Sequence, residues 1–208
     1  MGKAKKILVL APHVDDGEFG CGGSIHRYIR EGQYVRYIAF SDCKESIPKD
    51  LHPETLSKEM KEATQILGVG DSHLYDFPVR RFNQYRQEIL DTLIVEKNNY
   101  NPDIVFTPCT HDIHQDHGTL TTEAIRAFKG ITIYGYELPW NLLTLPSTCF
   151  IELEEEDVDK KVEAIMAYKS QCQRTYSNAS YIKALATTRG MRIQKQYAEV
   201  FEAIRIVL

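Results

Sequence analysis

The recurrence of short apolar runs between longer amphipathic segments is the feature that most constrains this chain. "KILVL", "YVRYIAF", "HLYDF", "DIVFT" and "ITIYGY" read as strands, and "GSIHRYIRE", "PETLSKEMKEATQIL", "YRQEILDTLIVEK" and "TLTTEAIRAF" between them carry helical spacing. Gly32 closes the first helix, Pro53 enters the second and Gly68 stops it. Parallel strands need a long crossover, and a helix is the usual one. The pattern therefore predicts an α/β fold: a Rossmann-like, mostly parallel sheet with helices on both faces. After "ITIYGY" the rhythm loosens. "ELPWNLLTLPSTCFIEL" reads as an irregular excursion plus a strand, "DVDKKVEAIMAYK" as a helix with Val158, Val162 and Ile165 on one face, and a further helix and a tail follow.

No repeat, low-complexity tract or linker divides the sequence, so residues 1–208 read as one domain. The balance of 25 Lys+Arg against 29 Asp+Glu leaves a net charge of -4, which offers no footprint for nucleic acid or an anionic membrane. No run approaches the roughly 18 apolar residues of a membrane span, and the first apolar stretch is too short for a signal peptide. The expectation is a cytoplasmic protein with a small-molecule partner; a homo-oligomer is left open. Five scattered cysteines without a CxxC pair argue against both a disulfide framework and a thiolate metal cluster.

Two dense polar clusters interrupt the apolar rhythm. "APHVDDGEFGCGG" follows the first strand and sets His13 beside Asp15 and Asp16; "TPCTHDIHQDHG" follows the fourth and holds His111, His114 and His117, three of the seven histidines, with Asp112 and Asp116. In a doubly wound sheet of order 3-2-1-4-5, ligands bind outside the carboxyl ends of strands 1 and 4, where the order reverses. The clusters, about a hundred residues apart, should therefore face each other across one crevice. Steps of about 300° per three residues would walk the imidazoles around a helix, so the second cluster reads as a loop.

Two adjacent carboxylates are costly to desolvate, and a divalent metal would neutralise them while accepting imidazole nitrogen and carboxylate oxygen. Three protein ligands leave a position for water, whose pKa falls toward ~7 on zinc, and a nearby unligated carboxylate can take its proton. A histidine beside the metal can stabilise an oxyanion or protonate a leaving amine. Asp15 and Asp16 are expected to divide the roles of ligand and base; the residues alone do not say which takes which.

The two motifs resemble those of the LmbE-like, PIG-L-type zinc-dependent N-deacetylases, which remove acetyl groups from N-acetylglucosamine moieties. "HVDDGEFGCGG" resembles that family's His-Pro-Asp-Asp turn with its Gly-rich continuation, and "HQDH" its His-x-Asp-His; weaker echoes are "KSQ" at Lys169 to Gln171 and "YAEVFE" at Tyr197 to Glu202. The resemblance implies that His13, Asp16 and His117 bind Zn2+, or another divalent metal. It further implies that Asp15 is the general base, that His114 stabilises the oxyanion and helps the amine leave, and that Asp116 orients a histidine. Val14 stands where the family has proline, and Gly17 where it commonly has glutamate, with an acid only at Glu18.

Ordinary structural roles compete for the remaining features. His111 and Asp112 read as loop residues, Cys21 and Cys109 as buried thiols, and the glycines of "GCGG" as permitting a tight turn and close helix packing. Arg80 and Arg81, beyond the third strand, could grip a phosphate or carboxylate or merely face solvent. After the fifth strand, Glu137 could hydrogen-bond sugar hydroxyls, and Trp140 could stack on a sugar ring or anchor its own loop. The reading is a zinc hydrolase that frees an amine and acetate from an N-acetylated amino sugar. The rivals are a phosphoesterase, which would want two metals and more carboxylates, and a non-catalytic sugar- or metal-binding module.

Overall fold

The computed structural model describes residues 4–47, 51–144 and 149–208, so residues 145–148 of the expected excursion lie outside the described part. Seven strands form one sheet: β1 (Lys6–His13), β2 (Tyr34–Ser41), β3 (Asp71–Leu74), β4 (Ile104–Pro108), β5 (Thr132–Tyr136), β6 (Cys149–Leu153) and β7 (Tyr197–Arg205). Their spatial order is β3-β2-β1-β4-β5-β7-β6, with the first five parallel and the last two joined antiparallel. The reversal of strand order falls between β1 and β4, as the apolar rhythm predicts.

Alternation along β1 explains why helices must cover both faces. Ile7, Val9 and Ala11 point into one core with Phe19, Ile25, Met60 and Ile165, which belong to α1 (Asp16–Arg30), α2 (Thr55–Ile66) and α5 (Glu155–Met166). Leu8 and Leu10 point the other way, toward Ile89, Leu93, Leu120 and Ala124 of α3 (Arg86–Tyr100) and α4 (Gln115–Ala127). A strand apolar on both faces has no face to give to water, which fixes it at the sheet centre. A sixth helix, α6 (Ala179–Met191), lays Ala186 against Leu153 and Val158. Among the described residues no helix is long and apolar enough to cross a membrane.

Two expectations are corrected. The tail is a strand: β7 inserts between β5 and β6, burying Ala198, Val200 and Phe201. Its glutamates disguise it, yet the Glu199 carboxylate is buried and accepts hydrogen bonds from Lys161 Nζ at 2.6 Å and from Ser24 Oγ at 2.6 Å. The second histidine cluster is not all loop. His114 is the N-cap of α4, and Asp116 and His117 lie in its first turn. A step of about 300° equals one of about -60°, so residues three apart share a helix face.

The glycines after the first motif serve close packing. A Cβ on Gly20 would enter the ring of Tyr136, whose hydroxyl donates to the Leu10 carbonyl at 2.9 Å. Gly20→Val should lower unfolding free energy by about 1–3 kcal/mol through overpacking. Urea denaturation reads this directly, and an unchanged midpoint would show that α1 can shift outward at no cost.

Candidate active site

His13 is the last residue of β1, and Asp15 and Asp16 open α1 directly behind it; β4 ends at Pro108, and its loop delivers His114 to the start of α4. The two segments meet. His13 Nδ1 lies 3.0 Å from Asp16 Oδ2 and 3.2 Å from His117 Nε2, and His117 Nε2 lies 3.2 Å from Asp16 Oδ2. All three side chains are buried or nearly so.

Neighbouring carboxylates fix the imidazole tautomers. Asp116 Oδ2 sits 3.0 Å from His13 Nε2 and also accepts the Arg80 backbone N–H at 2.6 Å, while its Oδ1 accepts that of Phe82 at 3.2 Å. An ionised carboxylate can only accept, so His13 Nε2 carries the proton. Asp112 Oδ2 does the same for His117 Nδ1 at 2.7 Å, and its Oδ1 receives the His114 backbone N–H at 2.8 Å. Asp112 is therefore a buried partner of His117 as well as the turn acid that the sequence suggests. With both outer nitrogens protonated, a lone pair of each ring points inward at Asp16, and three acceptors about 3 Å apart demand a proton or a cation between them. A tetrahedral metal with bonds of about 2.0–2.2 Å holds its ligand atoms roughly 3.3–3.6 Å apart, close to the spacing here. The donor set fits a divalent ion.

His114 completes the group. Its ring centroid lies 4.4 Å from that of His117 and 5.0 Å from that of His13, and the three histidines offer nitrogen atoms within 4.8 Å of one another. Asp16 is the closer third partner, because His114 Nδ1 already accepts the Asp116 backbone N–H at 3.2 Å. Asp15 is buried and meets Arg174 Nη1 at 3.3 Å.

The electrostatics of the metal-free protein follow from these contacts. Burial opposes charge on His117, but the carboxylates of Asp16 and Asp112 overcome it and raise its pKa to about 10. His13 is raised for the same reason, against its burial, by Asp16 and Asp116. Burial would raise Asp16, yet His117 and His13 hold it well below the usual carboxylate range. Burial and the adjacent Asp16 charge raise Asp15, with Arg174 opposing. Burial beside two other imidazoles lowers His114, so it is the ring of the three that charges least readily.

These groups floor a cavity of about 480 Å³ whose walls include Val79, Arg80, Trp140, Asn141, Gln171, Arg174 and Tyr176. Of the expected substrate contacts, Arg80 and Trp140 line it; Trp140 stacks on Tyr176 with ring centroids 3.8 Å apart and meets Phe19 edge-on. Arg81 is exposed and outside it. Glu137 also lies elsewhere, buried and clamped by Arg189 of α6 at 2.7 and 2.9 Å. A carboxylate forked onto a guanidinium is already satisfied and has no need of sugar hydroxyls. His111 is half exposed, with Thr110 Oγ1 3.1 Å from its Nδ1, in keeping with its loop reading. Sequence reasoning misses Arg174 and Tyr176; Gln171, which ends the "KSQ" echo, is buried with its Oε1 unpartnered among the described residues. Only that echo could have pointed to this segment.

Both departures from the resembled motif have a local cause. A Cβ at position 17 would lie 2.5 Å from the Tyr37 ring, which leaves no room for glutamate. The acid stands instead at Glu18, fully buried, accepting from the hydroxyls of Tyr37 and Tyr168; burial raises its pKa to about 8 despite those bonds. Tyr168 also donates to the Val14 carbonyl, pinning the turn that proline would otherwise stiffen.

A mostly parallel α/β sheet with a histidine–carboxylate cluster at its switch point is an enzyme-type site on a Rossmann-like frame. The match of residues 8–128 to the model described as PIG-L, GlcNAc-PI de-N-acetylase, places the chain in the PIG-L family. An uncharacterised deacetylase of Escherichia coli, YaiS, is 28% identical over 176 residues, covering 81% of this chain and 92% of that one. Diacetylchitobiose deacetylase of Thermococcus kodakarensis is 30% identical over 139 residues, covering 61% of this chain and 51% of its own. A conserved protein of Thermus thermophilus superposes with a TM-score of 0.84 at 25% identity, covering 98% of this chain and 96% of that one.

Were a divalent metal held at His117, proton and metal would compete for its lone pair. Because its folded pKa lies above the ordinary 6.5, charged His117 stabilises the metal-free fold fully below pH 6.5, and that contribution disappears as pH rises through about 10. Over this window the Tm of metal-free protein should fall while affinity for a divalent metal rises; pH-independent affinity would contradict the assignment. Asp112→Asn should weaken metal binding by about 10–100-fold, read by competition with a chromogenic chelator.

Proposed function

We propose that this protein is a zinc-dependent N-deacetylase that hydrolyses the acetamido group of an N-acetylglucosamine-type sugar or conjugate, releasing acetate and a free amine. The observation that carries the reading is the convergence of two inward-facing imidazole lone pairs and one carboxylate oxygen, with a separate buried carboxylate and a third histidine beside them. Family membership and the activity named for its deacetylase relatives support it.

His13, Asp16 and His117 would hold the metal. When bound, a divalent ion supplies Lewis-acid polarisation of the amide carbonyl and a more acidic water. Asp16 is committed to both histidines, so Asp15 is the carboxylate left to take a proton from the attacking water, and burial, by raising its pKa, makes it the stronger base. His114 accepts a backbone N–H at Nδ1, which leaves its Nε2–H to hydrogen-bond the carbonyl oxygen as that atom gains charge and so to help the amine leave, while the proton that Asp15 takes from the water passes on to the departing amine. Asp116 and Asp112 keep His13 and His117 in the tautomers that turn their lone pairs inward. Gln171 Oε1 and Asn141 offer neutral polar contacts for sugar hydroxyls, and the Trp140–Tyr176 pair a rigid wall.

Zinc-loaded protein should release amine from N-acetylglucosamine derivatives and bind close to one metal per chain. Asp15→Ala should abolish turnover with the metal retained, whereas His117→Ala should lose the metal. If Asp15→Ala lost metal and Asp16→Ala kept it, the two roles would be reversed. A stoichiometry near two metals with phosphate release would favour the phosphoesterase reading instead.

A further inference from the structure

The polarity of the cavity walls is uneven. Among the described residues its only acids are Asp15 and Asp16, both within the histidine cluster, and the rest of the described lining carries two cations, Arg80 and Arg174, among neutral residues such as Ser46, Val79 and Gln173. The chain as a whole has a net charge of -4, so a basic concave wall runs against its average. We propose that Arg80 and Arg174 form an anion subsite, selecting a substrate whose amino sugar carries a carboxylate or phosphate. The inference rests on the deacetylase reading and narrows its substrate.

Arg80 carries most of the argument. Its φ is +66°, a left-handed conformation that is strained for an L-residue and that glycine adopts freely. The turn itself needs only Arg80's backbone: its N–H donates to Asp116, and its carbonyl accepts from Gln115 Nε2. Among the described residues no carboxylate lies within 4 Å of the Arg80 guanidinium, and the side chain is exposed at the cavity wall. An arginine held in a strained conformation with no structural partner points to a ligand. The anchor is informative, since the carboxylate that orients His13 also sets the Arg80 turn and so ties the subsite to the reacting centre.

Arg174 supplies the second fork. Its ion pair with Asp15 is a single contact at 3.3 Å, the guanidinium lies 5.8 Å from the centroid of the Tyr176 ring, and the side chain is 47% exposed, so its fork is only partly engaged. Ser170, four residues before it, is fixed by Glu59 of α2 through its backbone N–H at 2.9 Å, which anchors the segment. Planar guanidinium forks match the paired oxygens of carboxylate and phosphate; for neutral hydroxyls the amides of Gln171, Gln173 and Asn141 suffice.

Three probes test the subsite on zinc-loaded protein: methyl N-acetylglucosaminide, its carboxymethyl counterpart, and N-acetylglucosamine 1-phosphate. At least one anionic probe should exceed the neutral one in kcat/KM by about tenfold or more, and whichever does identifies the group. Arg80→Gly should reduce that preference ratio by about tenfold with Tm unchanged or raised, and Arg80→Lys should recover part of the preference. Equal kcat/KM for all three probes, or a ratio that Arg80→Gly does not move, would overturn the subsite and leave the deacetylase reading intact. If none of the probes is hydrolysed, the deacetylase reading fails, and calorimetry with glucosamine 1-phosphate, carboxymethyl glucosaminide and methyl glucosaminide decides the subsite alone. Tighter binding of either anionic ligand, lost in Arg80→Gly, supports it; equal or absent binding overturns it.

Discussion

Three acceptor atoms from His13, Asp16 and His117 within 3.0–3.2 Å of one another are a repulsive arrangement unless something positive lies among them. The rest of the site is organised to enforce it. Asp116 and Asp112 stand behind the two rings and keep each from turning its N–H inward. In the metal-free protein, protons supply the positive charge, which is why His13 and His117 rise in pKa and the carboxylate between them falls.

The fold makes this concentration of polar groups affordable by placing it at the sheet's switch point. β1 and β4 are central strands with apolar residues on both faces, so the segments that leave them are held on rigid supports. One helix start follows each strand, and each carries an acid in its first turn: Asp16 in α1 and Asp116 in α4. Negative charge in a first helical turn is favourable by itself, which offsets part of the cost of burying these carboxylates. Behind the turn, the hydroxyls of Tyr37 and Tyr168 meet Glu18, and the bulk of Tyr37 explains why Gly17 has no side chain.

Much of this is legible in the sequence. Apolar runs on β1, β2, β4 and β5 separated by helical spacing dictate a parallel sheet, and the motif positions at strand ends bring His13 and His117 together before any coordinates are known. Legibility fails where a polar residue is buried by a distant partner. Glu199 makes β7 look like a solvated tail until Lys161 and Ser24 are found against it. Glu137 looks available for a sugar until Arg189 closes on it, and Asp112 looks like no more than a turn residue until His117 Nδ1 is seen 2.7 Å away. Arg174 lies some 160 residues from Asp15 in the chain, and nothing local to it announces the contact.

The most direct measurement is anomalous diffraction at the zinc edge from crystals grown with zinc. A single strong peak enclosed by His13 Nδ1, Asp16 Oδ2 and His117 Nε2, with Asp15 and His114 outside the bonding distance, is the expected result. No peak there, or a peak held by other side chains while these three atoms remain joined by protons alone, would contradict it.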